Sequence, residues 1–315
     1  MKENQLIFII SLPRSGSTLL QKILTINKNV NSVSEPWLLL PLTHIVNPKG
    51  TKAIYSHKKS SEFITDLINE LPNKALTFNT YIKEFVLNVY GELISTDSSF
   101  FLDKTPRYYR ILDDLFEIFP NSKFIFLTRD PIQITASIID SKNMCNGDIS
   151  KLNEYQEDLF DGFNFLANGI KKYGKKACVI DYTKFLLNSE KELIRICNYI
   201  GISYHKDMLT RWKKVNFSGS AGDVTGVNNY TAINTDSITS WEKTINTRTK
   251  KKIVKKVLKS ISTENFAYLN SSEEQLMNTI DSHSNGFNIL LSIKDFIRYR
   301  LSNLKYVIKN FVLKY

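Results

Sequence analysis

Leu6-Ile-Phe-Ile-Ile10, followed by Leu12-Pro-Arg-Ser-Gly-Ser-Thr18, is the stretch that decides the fold. The first run is apolar without a break and rich in β-branched residues, as in a parallel strand buried on both faces. From Ser17 to Ile26 the period changes, and Leu19, Leu20, Ile23 and Leu24 fall on one face of a helix. Strand, tight turn and helix open a βαβ unit. The turn between them favours an anion. The first N–H groups of a helix lack internal acceptors, and its dipole leaves partial positive charge there. Gly16 permits close backbone approach, Ser15, Ser17 and Thr18 add hydroxyls, and Arg14 adds a planar cationic fork.

Outward from this unit the alternation continues. Lys123–Thr128 is a second strong buried strand, 177–181 a third, and Phe100–Asp103 a short one. Helices are expected near 61–70, 80–94, 107–119 and 189–200, with Gly201 as a C-cap. Asp130-Pro131 reads as an N-cap followed by Pro at the first helical position. The expected class is therefore α/β, a central parallel sheet covered on both faces.

The tail differs. From Phe287 to Tyr315, apolar residues recur every three to four positions, with Lys294, Arg298, Arg300, Lys305, Lys309 and Lys314 between them. This pattern fits a basic amphipathic helix or helix pair, either packed on the domain, lying on a membrane surface or binding a partner. The chain divides into a main domain, 1–270, and this tail, 271–315.

Hydrophobic residues make up 42% and charged residues 23%, ordinary for a folded globular chain. Lys+Arg 42 against Asp+Glu 31 gives a net charge of +11, which favours anionic partners. Cys145, Cys178 and Cys197 are too few and too scattered for a disulfide framework or a zinc site, which suits a reducing compartment. With neither a signal-peptide pattern nor a long apolar span, the expected location is cytoplasmic, with peripheral membrane contact through the tail.

The loop lacks the Lys of a Walker A motif: Ser17 follows Gly16. Instead, Pro13-Arg-Ser-Gly-Ser-Thr-Leu-Leu20 after a hydrophobic strand resembles the 5′-phosphosulfate loop of sulfotransferases that use 3′-phosphoadenosine-5′-phosphosulfate (PAPS). Phe126-Leu-Thr-Arg-Asp-Pro131, with Ser137 eight residues after Arg129, resembles that family's 3′-phosphate site. The motifs are most similar to the tyrosylprotein-sulfotransferase branch and related bacterial enzymes. The resemblance spans about Leu6 to Trp241 and implies a P-loop NTPase-like three-layer fold, PAPS as donor, 3′,5′-ADP as product and no metal.

It also implies site residues. Arg14, Ser15, Gly16, Ser17, Thr18 and Leu19 would hold the 5′ end, and Arg129 and Ser137 the 3′-phosphate. Glu35, in Val33-Ser-Glu-Pro-Trp37, would be the base, in an apolar setting near Trp37 and Leu38 that raises its pKa. His44 is the rival base. Lys104, in Leu102-Asp-Lys-Thr-Pro106, would stabilise the bridging oxygen, with Arg14 stabilising the transferring group. Asp181-Tyr182 followed by Leu186 is similar to a family segment, so Tyr182 touches the nucleotide or fills the core. A long Gly/Ser/Asn-rich loop, 219–234, would close over the nucleotide through Thr225, Gly226 or Asn234. It departs from the family in lacking basic residues, and Ser240 stands before Trp241 where the family commonly has Lys. The acceptor would be a hydroxyl on a glycan, a lipid-linked group or a small molecule, with a peptide Tyr also open; no nucleic-acid partner is expected. A P-loop kinase and a non-catalytic polyanion- or membrane-binding protein are the alternatives.

Overall fold

The structure is a computed structural model that describes residues 1–47, 56–95, 98–217, 233–283 and 289–312. Five strands form one sheet in the order β2-β3-β1-β4-β5, every pair parallel. They are β1 (Leu6–Ser11), β2 (Val30–Ser32), β3 (Phe100–Asp103), β4 (Lys123–Thr128) and β5 (Cys178–Asp181). β1 is central and buried along its whole length, which explains its unbroken apolar run.

Alternation along the strands separates two cores. Leu6, Phe8 and Ile10 face one side with Phe101, Phe124 and Phe126; helices Ala75–Leu93, Pro131–Asp140, Gly162–Tyr173 and Arg248–Ser260 cover it. Ile7 and Ile9 face the other side with Leu102, Ile125, Leu127 and Ile180, under helices Ser17–Leu24 and Ser189–Ile200. The result is the three-layer α/β fold that alternating elements imply.

One expected helix changes, one strand is unforeseen, and the basic stretch takes the single-helix alternative. The helix over 107–119 is broken into a 3-10 turn, Tyr108–Arg110, and a helix, Leu112–Ile118. Arg107 takes φ 75° and Ile111 a non-helical φ of −124°, so the chain turns twice where the apolar spacing is helical. β2 is only three residues long, too short for a periodicity signal. Within the tail a helix, Glu273–Ser282, precedes the basic stretch, which is one helix, Ile289–Val312, packed on Ile149–Tyr155 and Arg248–Ser260. Asp295, the lone acid of the stretch from Phe287 to Tyr315, is buried there and accepts a 2.9 Å hydrogen bond from Thr247 Oγ1.

Candidate active site

β1 and β4 are neighbours whose following helices lie on opposite faces of the sheet, so a crevice opens at their carboxyl ends. The loop after β1 uses two left-handed residues, Arg14 (φ 68°) and Gly16 (φ 92°), to aim the helix start into it. Gly16 is required twice over. Its φ is left-handed, and a Cβ there would lie 2.2 Å from Cε2 of Tyr182. Ser15 is fully buried, and among the described residues its Oγ has no partner. Ser17, Thr18 and Leu19 form the first helical turn, whose N–H groups have no acceptor within the helix. An orphan hydroxyl, a close-approach glycine and an uncapped helix start make a fitting cradle for an oxyanion.

The second strand end interlocks with the first. Asp130 caps the next helix by accepting from the backbone N–H groups of Ile132 and Gln133 at 2.7 and 3.2 Å. Arg129 is buried. Its Nη1 donates to the Arg14 carbonyl at 2.8 Å, its Nη2 to the Ser237 carbonyl at 2.9 Å and its Nε to Gln133 Oε1 at 3.0 Å. Its guanidinium lies 4.7 Å from the centre of the Tyr182 ring. Arg14, for its part, donates from Nε to Ser137 Oγ at 3.0 Å. It is thus Arg14 rather than Arg129 that reaches Ser137, and Tyr182 packs against both arginine-bearing loops.

The third strand end carries a buried ion pair. Lys104 Nζ donates to Glu35 Oε1 at 2.6 Å, and Trp37 Nε1 donates to Glu35 Oε2 at 3.1 Å. The expected apolar setting of Glu35 is therefore incorrect: each oxygen accepts from a donor, one of them a cation. Gln21 Nε2 holds the Glu35 loop by donating to Ser32 Oγ and the Val33 carbonyl, both at 2.7 Å.

Behind the pair lies fully buried Asp103. It accepts from Tyr90 and Tyr108 hydroxyls at 2.7 and 2.9 Å and from Thr105 Oγ1 at 2.9 Å. Thr105 Oγ1 in turn accepts from Trp37 N at 3.2 Å, and Tyr108 Oη from Leu39 N at 3.4 Å. Burial pushes the Asp103 carboxyl up to about 6, against those hydrogen bonds and the charge of Lys104, which pull it down.

These elements border one cleft of about 1120 Å³, lined by Arg14, Gly16, Ser17, Thr18, Leu19, Glu35, Arg129, Ser137 and Tyr182. Ser15 and Lys104 lie behind its wall, Lys104 screened by Glu35. His44 is not part of the lining; its Nδ1 sits 2.6 Å from the Leu40 carbonyl. Asn234 is also off the wall, where its Oδ1 accepts from Asp236 N at 3.3 Å. Thr225 and Gly226 lie outside the described residues. Sequence reasoning missed Gln21, Ser237 and Arg107, whose bidentate bond to Asp158 (2.7 Å for Nη2–Oδ2) fixes the opposite wall.

The profile of the Sulfotransferase family matches residues 6–206. Among curated proteins, a "Putative protein-tyrosine sulfotransferase" of Caenorhabditis briggsae is 26% identical over 75% of this chain and 80% of its own length. "Nodulation protein NoeE" of Sinorhizobium fredii is 29% identical over 42% of this chain but only 30% of its own length. "Protein-tyrosine sulfotransferase" of Drosophila melanogaster is 24% identical over 68% of this chain and 42% of its own. This chain thus spans less than half the length of the latter two. A solved "Sulfotransferase Domain from the Curacin Biosynthetic Pathway" shares the fold, with TM-score 0.53, 19% identity and coverage of 81% of this chain and 97% of that one. With β1, β3, β4, β5 and all three strand-end motifs inside a match covering more than half its length, the chain belongs to the Sulfotransferase family.

Proposed function

We propose that the chain transfers a sulfuryl group from PAPS to an acceptor hydroxyl, with Glu35 as base. The observation that carries this is one cleft in which Arg14 and Arg129 join two oxyanion-binding strand ends beside the Glu35 carboxylate.

In this reading the loop from Arg14 to Leu19 takes the 5′-phosphosulfate, and Arg14, Arg129 and Ser137 take the 3′-phosphate. Tyr182 lies against the Arg129 guanidinium and against Gly16 of the loop. Loose transfer of a charged group is accelerated mainly by positioning and charge complementarity. Glu35 accepts the acceptor's proton as its oxygen bonds to sulfur, while the bond from sulfur to the bridging oxygen breaks and its electron pair leaves on the phosphate. Lys104 meets that developing charge. A proton arriving on Glu35 cancels the charge that holds Lys104, so withdrawal of the proton frees the ammonium for the leaving oxygen. His44 is disfavoured as base because its ring nitrogen faces a carbonyl of its own helix. The acceptor is a hydroxyl on a glycan, a lipid-linked group, a small molecule or a peptide Tyr. Trp37, Arg107, Asn143, Asn146 and Tyr155 offer it aromatic and polar groups along the remaining wall.

The test is ligand-dependent thermal stability followed by turnover with labelled PAPS. Only a ligand of the folded state raises the melting point. Stabilisation by 3′,5′-ADP in preference to ATP with Mg²⁺ is expected; the reverse preference points to a kinase, and a response to heparin alone to a polyanion-binding protein.

A second reading concerns the tail. Ile289, Leu290, Ile293, Phe296, Ile297, Leu301 and Leu304 are exposed along one face of its helix, with exposed Lys294 and Arg298 on the border. No described helix is long and apolar enough to cross a membrane. Peripheral contact with an anionic bilayer is the arrangement this face supports.

A further inference from the structure

The cleft continues beyond Ser137 to the end of the helix Pro131–Asp140, where the donor scheme has assigned no residue. Ser141 lies there, one turn after Ser137 and 7% exposed; among the described residues its Oγ has no hydrogen-bond partner although it borders the cleft. A buried hydroxyl without a partner is costly, so such groups mark positions where a ligand can bind.

Two lysines from later in the chain reach the same wall. The segments Trp241–Thr244 and Arg248–Ser260 pack on the helix Pro131–Asp140 and bring Lys243 and Lys250 to the cleft. Lys250 is as buried as Ser141, and its Nζ donates to the neutral Asn246 Oδ1 at 3.0 Å. Burial pushes its ammonium down from the usual lysine range, while Asp295 and Asp140 oppose that shift. Asp295 is engaged by Thr247, and Asp140 is the acid that borders the cleft here, opposite Lys142, Lys243 and Lys250. The cationic excess, the orphan hydroxyl and the neutral cap on a buried ammonium all select an oxyanion.

We propose that Ser141, Lys243 and Lys250 form a second oxyanion subsite, for a phosphate, sulfate or carboxylate group lying one helical turn beyond Ser137. It rests on the proposed function only in sharing that cleft. The oxyanion has two available sources, the donor's 3′-phosphate or an anionic group on the acceptor.

Inorganic sulfate is titrated calorimetrically into the full chain and its Ser141→Ala, Lys243→Met and Lys250→Met variants, with and without saturating 3′,5′-ADP; 3′,5′-ADP and 5′-AMP are titrated separately. If the source is the donor, 3′,5′-ADP displaces sulfate, and the variants lose about tenfold in 3′,5′-ADP affinity but none for 5′-AMP. If it is the acceptor, sulfate binds alongside 3′,5′-ADP, and the variants lose about tenfold for sulfate alone. Variants that bind sulfate and 3′,5′-ADP like the wild type overturn the subsite. Lys243 is exposed, so Lys243→Met decides the matter even if Lys250→Met fails to fold. A wild type that ignores 3′,5′-ADP counts against the sulfotransferase reading, while the sulfate comparison still judges the subsite.

Discussion

Lys104 Nζ lies 2.6 Å from Glu35 Oε1, and the lysine is almost wholly buried behind the carboxylate. Neither member can be altered silently. Removing one side of a buried pair strands the other charge, at a cost of about 3–5 kcal/mol. Glu35→Gln keeps the shape but offers one acceptor oxygen where Lys104 and Trp37 both donate, cannot take a proton, and so should also lower the melting point. It should lower turnover by about 10²–10⁴-fold, the usual worth of a positioned base, with 3′,5′-ADP affinity nearly unchanged. Lys104→Met should lower turnover and also the melting point. Single-turnover kinetics with labelled PAPS, alongside calorimetry with 3′,5′-ADP, separates the two effects; persistent turnover in Glu35→Gln would remove Glu35 as base.

Gly16 faces the Tyr182 ring with no room for a methyl group. Gly16→Ala therefore meets left-handed strain and a clash at once, together about 1–3 kcal/mol. The melting point should fall, and 3′,5′-ADP affinity should fall further than stability alone explains, because the loop must shift. Gly16→Ala should cost less in a Tyr182→Ala background than in the wild type, since the clash goes and the strain stays. An equal cost in both backgrounds would mean that the ring contact is unimportant.

What was legible in the sequence was local. β1, its loop, Arg129, Glu35 and Lys104 each sit at or just after a strand end inside a short string, and those strings survive folding intact. What was illegible was convergence. Ser237 accepts from Arg129 across 108 residues, and Lys243 and Lys250 look like one solvated basic face until two helices lay them on the cleft wall. His44 shows the opposite: a promising residue type whose Nδ1 lies 2.6 Å from the carbonyl four residues earlier, which no short string reveals. The break at Arg107 is equally invisible, because apolar spacing continues through it while a left-handed φ and the Asp158 clasp redirect the chain.

Asp103 should leave a signature in the pH dependence of stability. Its folded pKa, about 6, lies above the value of 3.8 usual for the residue. The native state therefore favours the protonated form. The associated stability is complete below about pH 3.8 and is lost as pH rises through 6, about 3 kcal/mol in all. Asp103→Asn cannot ionise and lacks this component. Urea unfolding between pH 4 and 7 should show the wild type losing ground to the variant as pH rises. Parallel curves would mean that Asp103 is not held near 6.

The tail helix supplies the last prediction. Its packed side is anchored by Asp295, Tyr299 and Ser302, so the opposite apolar face can be changed without touching the core. Leu290→Asp with Ile297→Asp replaces two exposed apolar residues by charges, and should leave stability within about 1 kcal/mol of wild type, about 0.5 for each site. Flotation with vesicles of phosphatidylcholine and phosphatidylserine should recover the wild type and not the variant. Lys294→Gln with Arg298→Gln should weaken flotation in proportion to lost charge, about 1 kcal/mol each, and only on vesicles that contain the anionic lipid. Equal recovery of all three proteins would show that this face does not meet a bilayer.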